Sequence, residues 1–282
     1  MAEITAGMVG ILRERTGLGM MECKKALVES SGDIDKAEDL LRIKSGAKAN
    51  KAAGRIAAEG VIGLYVSPDT KLAAMVEINC ETDFVAKNED FLAFAATLAQ
   101  RVAQDNPPDV AALSALKMGD ETVESRRQTL VQKIGENMSI RRFHRIHTAA
   151  KVASYLHGVK IGVLVEFDGE ESVGKDVAMH IAFAKPEFMN RIDVDPNLIS
   201  RERDVQVARA QESGKPPEII AKMIEGSMNK FIGEKTLLGQ PFVKDDKQTV
   251  EKMLASKKAT LTGYKFFVVG AGNIYRGLKG AA

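Results

Sequence analysis

The chain has no tryptophan, only four tyrosines and only two cysteines in 282 residues. So few large rings argue against a platform on which successive bases stack. Cys23 and Cys80 stand far apart and form no CxxC pair, which excludes the common zinc and dithiol-redox motifs. Their scarcity fits a reducing compartment. No apolar run approaches the ~20 residues that cross a bilayer. The opening, MAEITAGMVGILRERTG, carries Glu3 and Arg13 and does not read as a secretory signal. Charge of one sign is lacking too: 40 Lys and Arg face 38 Asp and Glu, a net charge of +2. That argues against a dedicated nucleic-acid coat but leaves room for a local patch. A cytoplasmic protein without a membrane segment is expected.

Signatures of catalysis are missing as well. There is no GxSxG, HExxH or P-loop. Of the four histidines, His144, His147, His157 and His180, the first two are separated by three positions on a predicted strand. Such spacing puts them on opposite faces, so solvated strand residues are preferred to a metal pair. Phe267-Val268-Val269-Gly270-Ala271-Gly272 opens like a dinucleotide fingerprint, but the third glycine is displaced to Gly277. No enzyme, cofactor, metal site or small-molecule substrate is expected.

What is present is ordinary for a soluble globular protein, with 45% apolar and 28% charged residues and room for two or three domains. The first ~45 residues read as three short helices. Thr5 caps a helix carrying Met8, Val9, Ile11 and Leu12, and Gly17 breaks it. The next, from Met20, turns Cys23, Leu27 and Val28 inward. Gly32 stops it, and Asp33 caps a third carrying Ile34, Ala37, Leu40 and Leu41. Residues 44–55 then become small and basic, as a linker or an exposed helix. Lys44, Lys48, Lys51 and Arg55 recur at four, three and four, which places them on one helical face. That face, or Arg141, Arg142 and Arg145, offers a place for phosphates, although a solvated face is the default.

From residue 60 the pattern is mixed. Strands are expected at 61–66 and 71–79 around the Ser67-Pro68-Asp69 turn, helices at 91–102 and 121–134, and a strand at 138–146. An apolar strand at 74–78 leads to an Ala-rich helix, and the stretch at 161–166 does the same, which suggests two related halves. Residues 195–213 and 218–231 read as two helices broken by Gly214-Lys215-Pro216-Pro217, an antiparallel hairpin. A helix at 250–257 and a strand at 261–269 follow, so the hairpin is an insertion. Local pattern at Asn79-Cys80-Glu81-Thr82-Asp83-Phe84-Val85-Ala86 offers Thr82 or Asp83 as a helix cap and Phe84 as core.

Residues 16–27, TGLGMMECKKAL, and 79–87, NCETDFVAK, closely match the two signatures of the elongation factor Ts family, which the chain resembles. Similarity continues, in order, through HGVKIGVLV at 157–165, HIA at 180–182, KPEF at 185–188 and GQPF at 239–242. The resemblance implies an α+β fold with a ubiquitin-associated-like three-helix module at 1–46 and a basic linker at 47–59. It implies a core of two α/β subdomains with antiparallel sheets, at 60–149 and at 150–189 with 238–270. A helical coiled-coil insertion at 190–237 and a tail at 271–282 complete it. It implies a guanine-nucleotide exchange factor that binds the GTPase elongation factor Tu. Asp83 and Phe84 would enter the GTPase near its magnesium and phosphate region, with Phe84 at least partly exposed. Arg13, Met20, Met21 and Lys24 match the contact region of the helical module, and His157 and Val243 match contact positions on the core. The alternative for both methionines is packing inside the three-helix unit. The glycine-rich run at 270–280 departs from the family's helical end, so no contact is carried onto it. The rival reading is an RNA- or ribosome-binding module using the Lys44/Lys48/Lys51/Arg55 face.

Overall fold

Capping residues set the first three helices. In a computed structural model describing residues 3–271, the Thr5 hydroxyl accepts the Met8 N–H at 3.3 Å and opens α1 (Ala6–Thr16). Gly17, at φ 66°, closes it in the left-handed conformation that glycine adopts without strain. α2 (Met20–Glu29) follows. α3 (Ile34–Ala52) starts on Asp33, whose carboxylate accepts the Lys36 N–H at 3.0 Å. Val9, Leu12, Leu18, Cys23, Ala26, Leu27, Ala37 and Leu41 form their shared core. Val28, expected inward, lies outside at 58% exposure, and Ile11 of α1 is exposed as well. On α2 the inward arc is already filled by Cys23, Ala26 and Leu27.

The described residues fall into two compact units, one of residues 3–65, 74–145 and 268–270, the other of 66–73 and 146–267 with 271. In the first, α3 runs unbroken past residue 46, so the expected change from module to linker falls inside a helix. The small residues explain the altered composition. Ser45, Ala49 and Ala52 are buried where α3 packs on α6 (Val123–Ile134), and the bases flank that contact, Lys48 pairing with Glu22, which also accepts from Gln132 of α6. The unit continues with β1 (Glu59–Val66), β2 (Leu72–Cys80), α4 (Glu89–Asp105), α5 (Val110–Ala115), β3 (Lys117–Met118), β4 (Glu121–Thr122), α6 (Val123–Ile134) and β5 (Met138–His147). The helix expected from residue 121 begins at Val123, because Thr122 is its cap and accepts the Ser125 N–H at 3.1 Å.

β1, β2 and β5 make a three-stranded sheet in that order. α4 buries Phe91, Phe94, Leu98 and Val102. A Cβ at Gly63 of β1 would stand 2.1 Å from the Ala95 carbonyl oxygen, so only glycine permits this approach of helix to strand. Glu77 is fully buried on β2 and neutralised there. Its carboxylate meets Arg141 at 2.9 Å and Arg142 at 2.6 Å, and accepts the Gly270 N–H at 2.9 Å.

The second unit repeats the theme. β6 (Lys151–His157) and β7 (Ile161–Asp168) pair antiparallel, with His157 opposite Ile161. α7 (Glu171–Ala184) packs on both. A Cβ at Gly174 would come within 2.4 Å of the Phe167 ring. α8 (Pro196–Glu212) and α9 (Pro217–Lys235) pack against one another across a turn in which Gly214 takes φ 64°. β8 (Pro241–Phe242), β9 (Asp245–Thr249), α10 (Val250–Ser256) and β10 (Thr260–Val268) complete the unit. β10 lies beside β7, giving the order β10-β7-β6, so the α8–α9 pair is inserted between α7 and the strand that closes the sheet. The whole is mixed helix and antiparallel sheet, an α+β fold. The tail from residue 272, with Gly277, lies outside the described residues.

Candidate functional site

The end of β2 leads into residues 81–84 and then a single 3-10 turn, Val85–Lys87. Val85 and Ala86 point inward, 6% and 1% exposed. Phe84 sits just before them in helical conformation, and its ring stands 81% exposed. The core position that local pattern assigned to Phe84 is thus filled by its two successors. Thr82 holds the start of this short turn, its hydroxyl accepting the Val85 N–H at 3.5 Å, but neither it nor Asp83 caps α4. Asn88 does so, accepting the Phe91 N–H at 3.2 Å. Asp83 instead reaches Lys87 at 2.9 Å, a half-exposed pair one turn apart.

A neighbouring turn holds this loop. α6 ends at Gly135, φ 89°, and the chain then presents Glu136. One Glu136 oxygen accepts the N–H groups of Glu81 at 3.1 Å and Thr82 at 3.0 Å. The other accepts the Thr82 hydroxyl at 2.6 Å. In return, the Asn137 N–H donates to the Glu81 carboxylate. Glu81 also meets Arg55 at 3.2 Å, and Arg55 donates to the Gly135 carbonyl at 3.0 Å. Sequence reasoning missed Glu136. A polar residue after a helix-ending glycine carries no mark of what it will reach.

The helical part of the same unit offers a second surface. α2 turns Cys23, Ala26 and Leu27 inward. Met20 and Met21 are therefore outside, 58% and 63% exposed, and Lys24 and Arg13 are exposed as well. Packing of the methionines inside the three-helix unit is excluded. Burial pushes the Cys23 thiol up from its ordinary range, so it is not an activated thiol, and Cys80 is buried too.

The basic face is largely answered from within. Lys44 pairs with Glu29 at 2.7 Å, Lys48 with Glu22, and Arg55 with Glu81. Arg141 and Arg142 serve Glu77, and Arg145 donates to the Ala103 carbonyl at 2.8 Å. These groups offer a phosphate backbone far less than their number in the sequence suggests.

In the second unit, His157 is exposed at the end of β6, its ring stacked on Tyr155 at 6.2 Å between centroids. Val243, 37% exposed, occupies the turn between β8 and β9. Its N–H donates to Nδ1 of buried His180 at 3.2 Å. Because that donor is a backbone amide, Nδ1 is the acceptor and Nε2 carries the proton, which it gives to the Gln240 oxygen at 3.0 Å. The Gln240 amide is oriented by its own donation to the Glu234 carbonyl at 2.9 Å. Burial depresses the His180 pKa, and the Gln240 contact only partly offsets this. Among the described residues no group of three His, Cys, Asp or Glu is placed to hold a metal ion, His144 and His147 included. No helix among them is long and apolar enough to cross a membrane.

Both units thus present exposed side chains at named positions, on the first two helices and the Phe84 turn of one and at the end of β6 and the β8–β9 turn of the other. That arrangement suits binding. A family model described as Elongation factor TS matches residues 81–271. The Elongation factor Ts of Bordetella petrii is 60% identical over 272 residues, 96% of this chain and 93% of that protein. Those of Thiobacillus denitrificans and Cupriavidus necator are 57% and 55% identical over the same length, covering 94% and 92% of their own chains.

Proposed function

The chain belongs to the elongation factor Ts family of translation elongation factors, and from that premise we propose that it is a guanine-nucleotide exchange factor for elongation factor Tu. The observation that carries this reading is the Phe84 ring, 81% exposed at the tip of a turn whose following residues are buried. An aromatic side chain kept in water by the isolated fold gains free energy when a partner covers it.

The mechanism is linkage. A protein that binds the nucleotide-free GTPase more tightly than its GDP form must weaken GDP binding by the same factor. Each tenfold gain in release rate needs about 1.4 kcal/mol off the barrier. Phe84, with Asp83 beside it, enters the GTPase on its magnesium and phosphate side and displaces the elements that position the metal. Phosphate charge is then less compensated and the nucleotide leaves. Met20, Met21, Lys24 and Arg13 add binding energy at a distance, and the flexible methionines suit an adaptable contact. His157 and Val243 do the same from the second unit. No bond is made or broken, so the chain is no enzyme in this reading, and it acts in the cytoplasm. The first three helices act as a ubiquitin-associated-like module, the two sheets as a two-subdomain core, and α8–α9 as a coiled-coil insertion.

The test is direct. Elongation factor Tu loaded with a fluorescent GDP analogue is mixed with micromolar chain and excess GDP, and release is followed by stopped flow. Acceleration supports the reading, and an unchanged release rate sinks it.

A further inference from the structure

We propose that Glu136 is the positioning residue of the Phe84 turn, acting through residues 81 and 82 rather than by touching the partner. The inference rests on the exchange reading and adds to it the residue that aims the ring. Residues 81–84 lie between the end of β2 and the turn at Val85–Lys87, outside any strand or helix, and on the turn side the Thr82 and Phe84 carbonyls accept the Ala86 and Lys87 N–H groups at 3.3 and 3.1 Å. Their two leading N–H groups are satisfied by a single carboxylate oxygen, at 3.1 and 3.0 Å, and the Thr82 hydroxyl by the other oxygen, at 2.6 Å. Three donors on one carboxylate fix both its plane and the direction of the loop. Hydrogen bonds to an ionised acceptor are also the stronger kind. Asn137 answers from the same turn by donating to Glu81, so the two segments are clasped in both directions. Phe84 follows two residues after the last of these bonds, and its own ring makes little contact with the fold. The short turn holds the far side of Phe84, and Glu136 fixes the near side, so the ring's aim depends on where residues 81 and 82 are held.

Glu136→Gln keeps the shape of the side chain but loses the charge and one acceptor oxygen. Thr82→Val leaves the two N–H bonds to Glu136 and removes the hydroxyl's donation to it, together with the long Val85 N–H contact at 3.5 Å, and guards against a folding defect in the first variant. Positioning matters at the release step more than in the encounter, because α1, α2 and the second unit still dock. Glu136→Gln is expected to lower the maximal GDP-release rate about tenfold, while the half-saturating concentration stays within about twofold. Thr82→Val is expected to give a smaller loss of the same kind. In a Phe84→Ala background neither substitution should cost anything further, since no ring remains to aim. Multiplicative losses in that background, or a wild-type rate for Glu136→Gln, would overturn the proposal.

A second readout is independent of exchange. The chain has no tryptophan, so Phe84→Trp installs a lone fluorophore at the tip. Its anisotropy decay should show a larger nanosecond amplitude when Glu136→Gln is added. An unchanged decay rejects the clasp even if the chain has no exchange activity at all. A looser indole in a chain that fails to release GDP rejects only the exchange reading.

Discussion

Truncating Phe84 to alanine separates a recognition ring from a core ring, because the two roles predict opposite effects on stability and activity. A phenylalanine side chain taken fully out of water contributes about 1.5–3 kcal/mol. With 81% of Phe84 exposed, about a fifth of that is realised in the free chain, roughly 0.3–0.6 kcal/mol. Phe84→Ala should therefore leave the urea midpoint nearly where it was. The remaining four fifths, roughly 1.2–2.4 kcal/mol, is released only against the partner. At about 1.4 kcal/mol per tenfold, the loss in exchange efficiency is roughly seven- to fiftyfold. The assay is release of fluorescent GDP from elongation factor Tu across a range of chain concentrations. The deficit should change little with salt, because the missing contact is apolar. Exchange within twofold of wild type would refute the reasoning. So would a loss of more than about 1 kcal/mol of folding stability, the mark of a ring packed in its own core.

Other perturbations test the scaffold. Gly63→Ala would place a methyl 2.1 Å from the Ala95 carbonyl oxygen, backbone that cannot swing aside, and should cost about 1–3 kcal/mol in chemical unfolding. Wild-type stability there would mean that β1 and α4 are not so close. His180 is held neutral by burial, its folded pKa below the unfolded value, so the unfolded chain binds the extra proton. Its contribution is complete above about pH 6.5 and is lost as pH falls through that value toward the folded pKa. Urea titrations between about pH 7 and 5 should show this loss, and His180→Gln should be less stable at neutral pH yet without that slope. Lys44 and Lys48 pair with Glu29 and Glu22 in half-exposed geometry, so Lys44→Ala or Lys48→Ala should change stability by less than about 1 kcal/mol. An RNA oligomer should bind the wild-type chain no more tightly than about 10⁻⁴ M near physiological salt, measured by anisotropy. Micromolar affinity that falls steeply with salt would restore the nucleic-acid reading of this face.

Much of the architecture followed from local chemistry. Thr5, Asp33 and Asp195 announced helix starts, and Gly17 and Gly214 announced breaks, because a short polar side chain or a missing Cβ acts within three or four residues of itself. The two long motifs carried the family, since they preserve residue identity as well as pattern. α5 and β6 left no such mark, and the small face of α3 read as a linker until α6 was seen to cover it. Tertiary structure alone decided which way Phe84 faces, because its burial turned on whether Val85 and Ala86 had already filled the inner side. It alone also showed that Glu136 reaches across more than fifty residues of chain to grip residues 81 and 82, and that Lys44 and Lys48 on α3 already have acidic partners. Sequence spacing reports which neighbours share a helix face or a strand face. Contacts between distant segments depend on how those faces pack, and no local period encodes that.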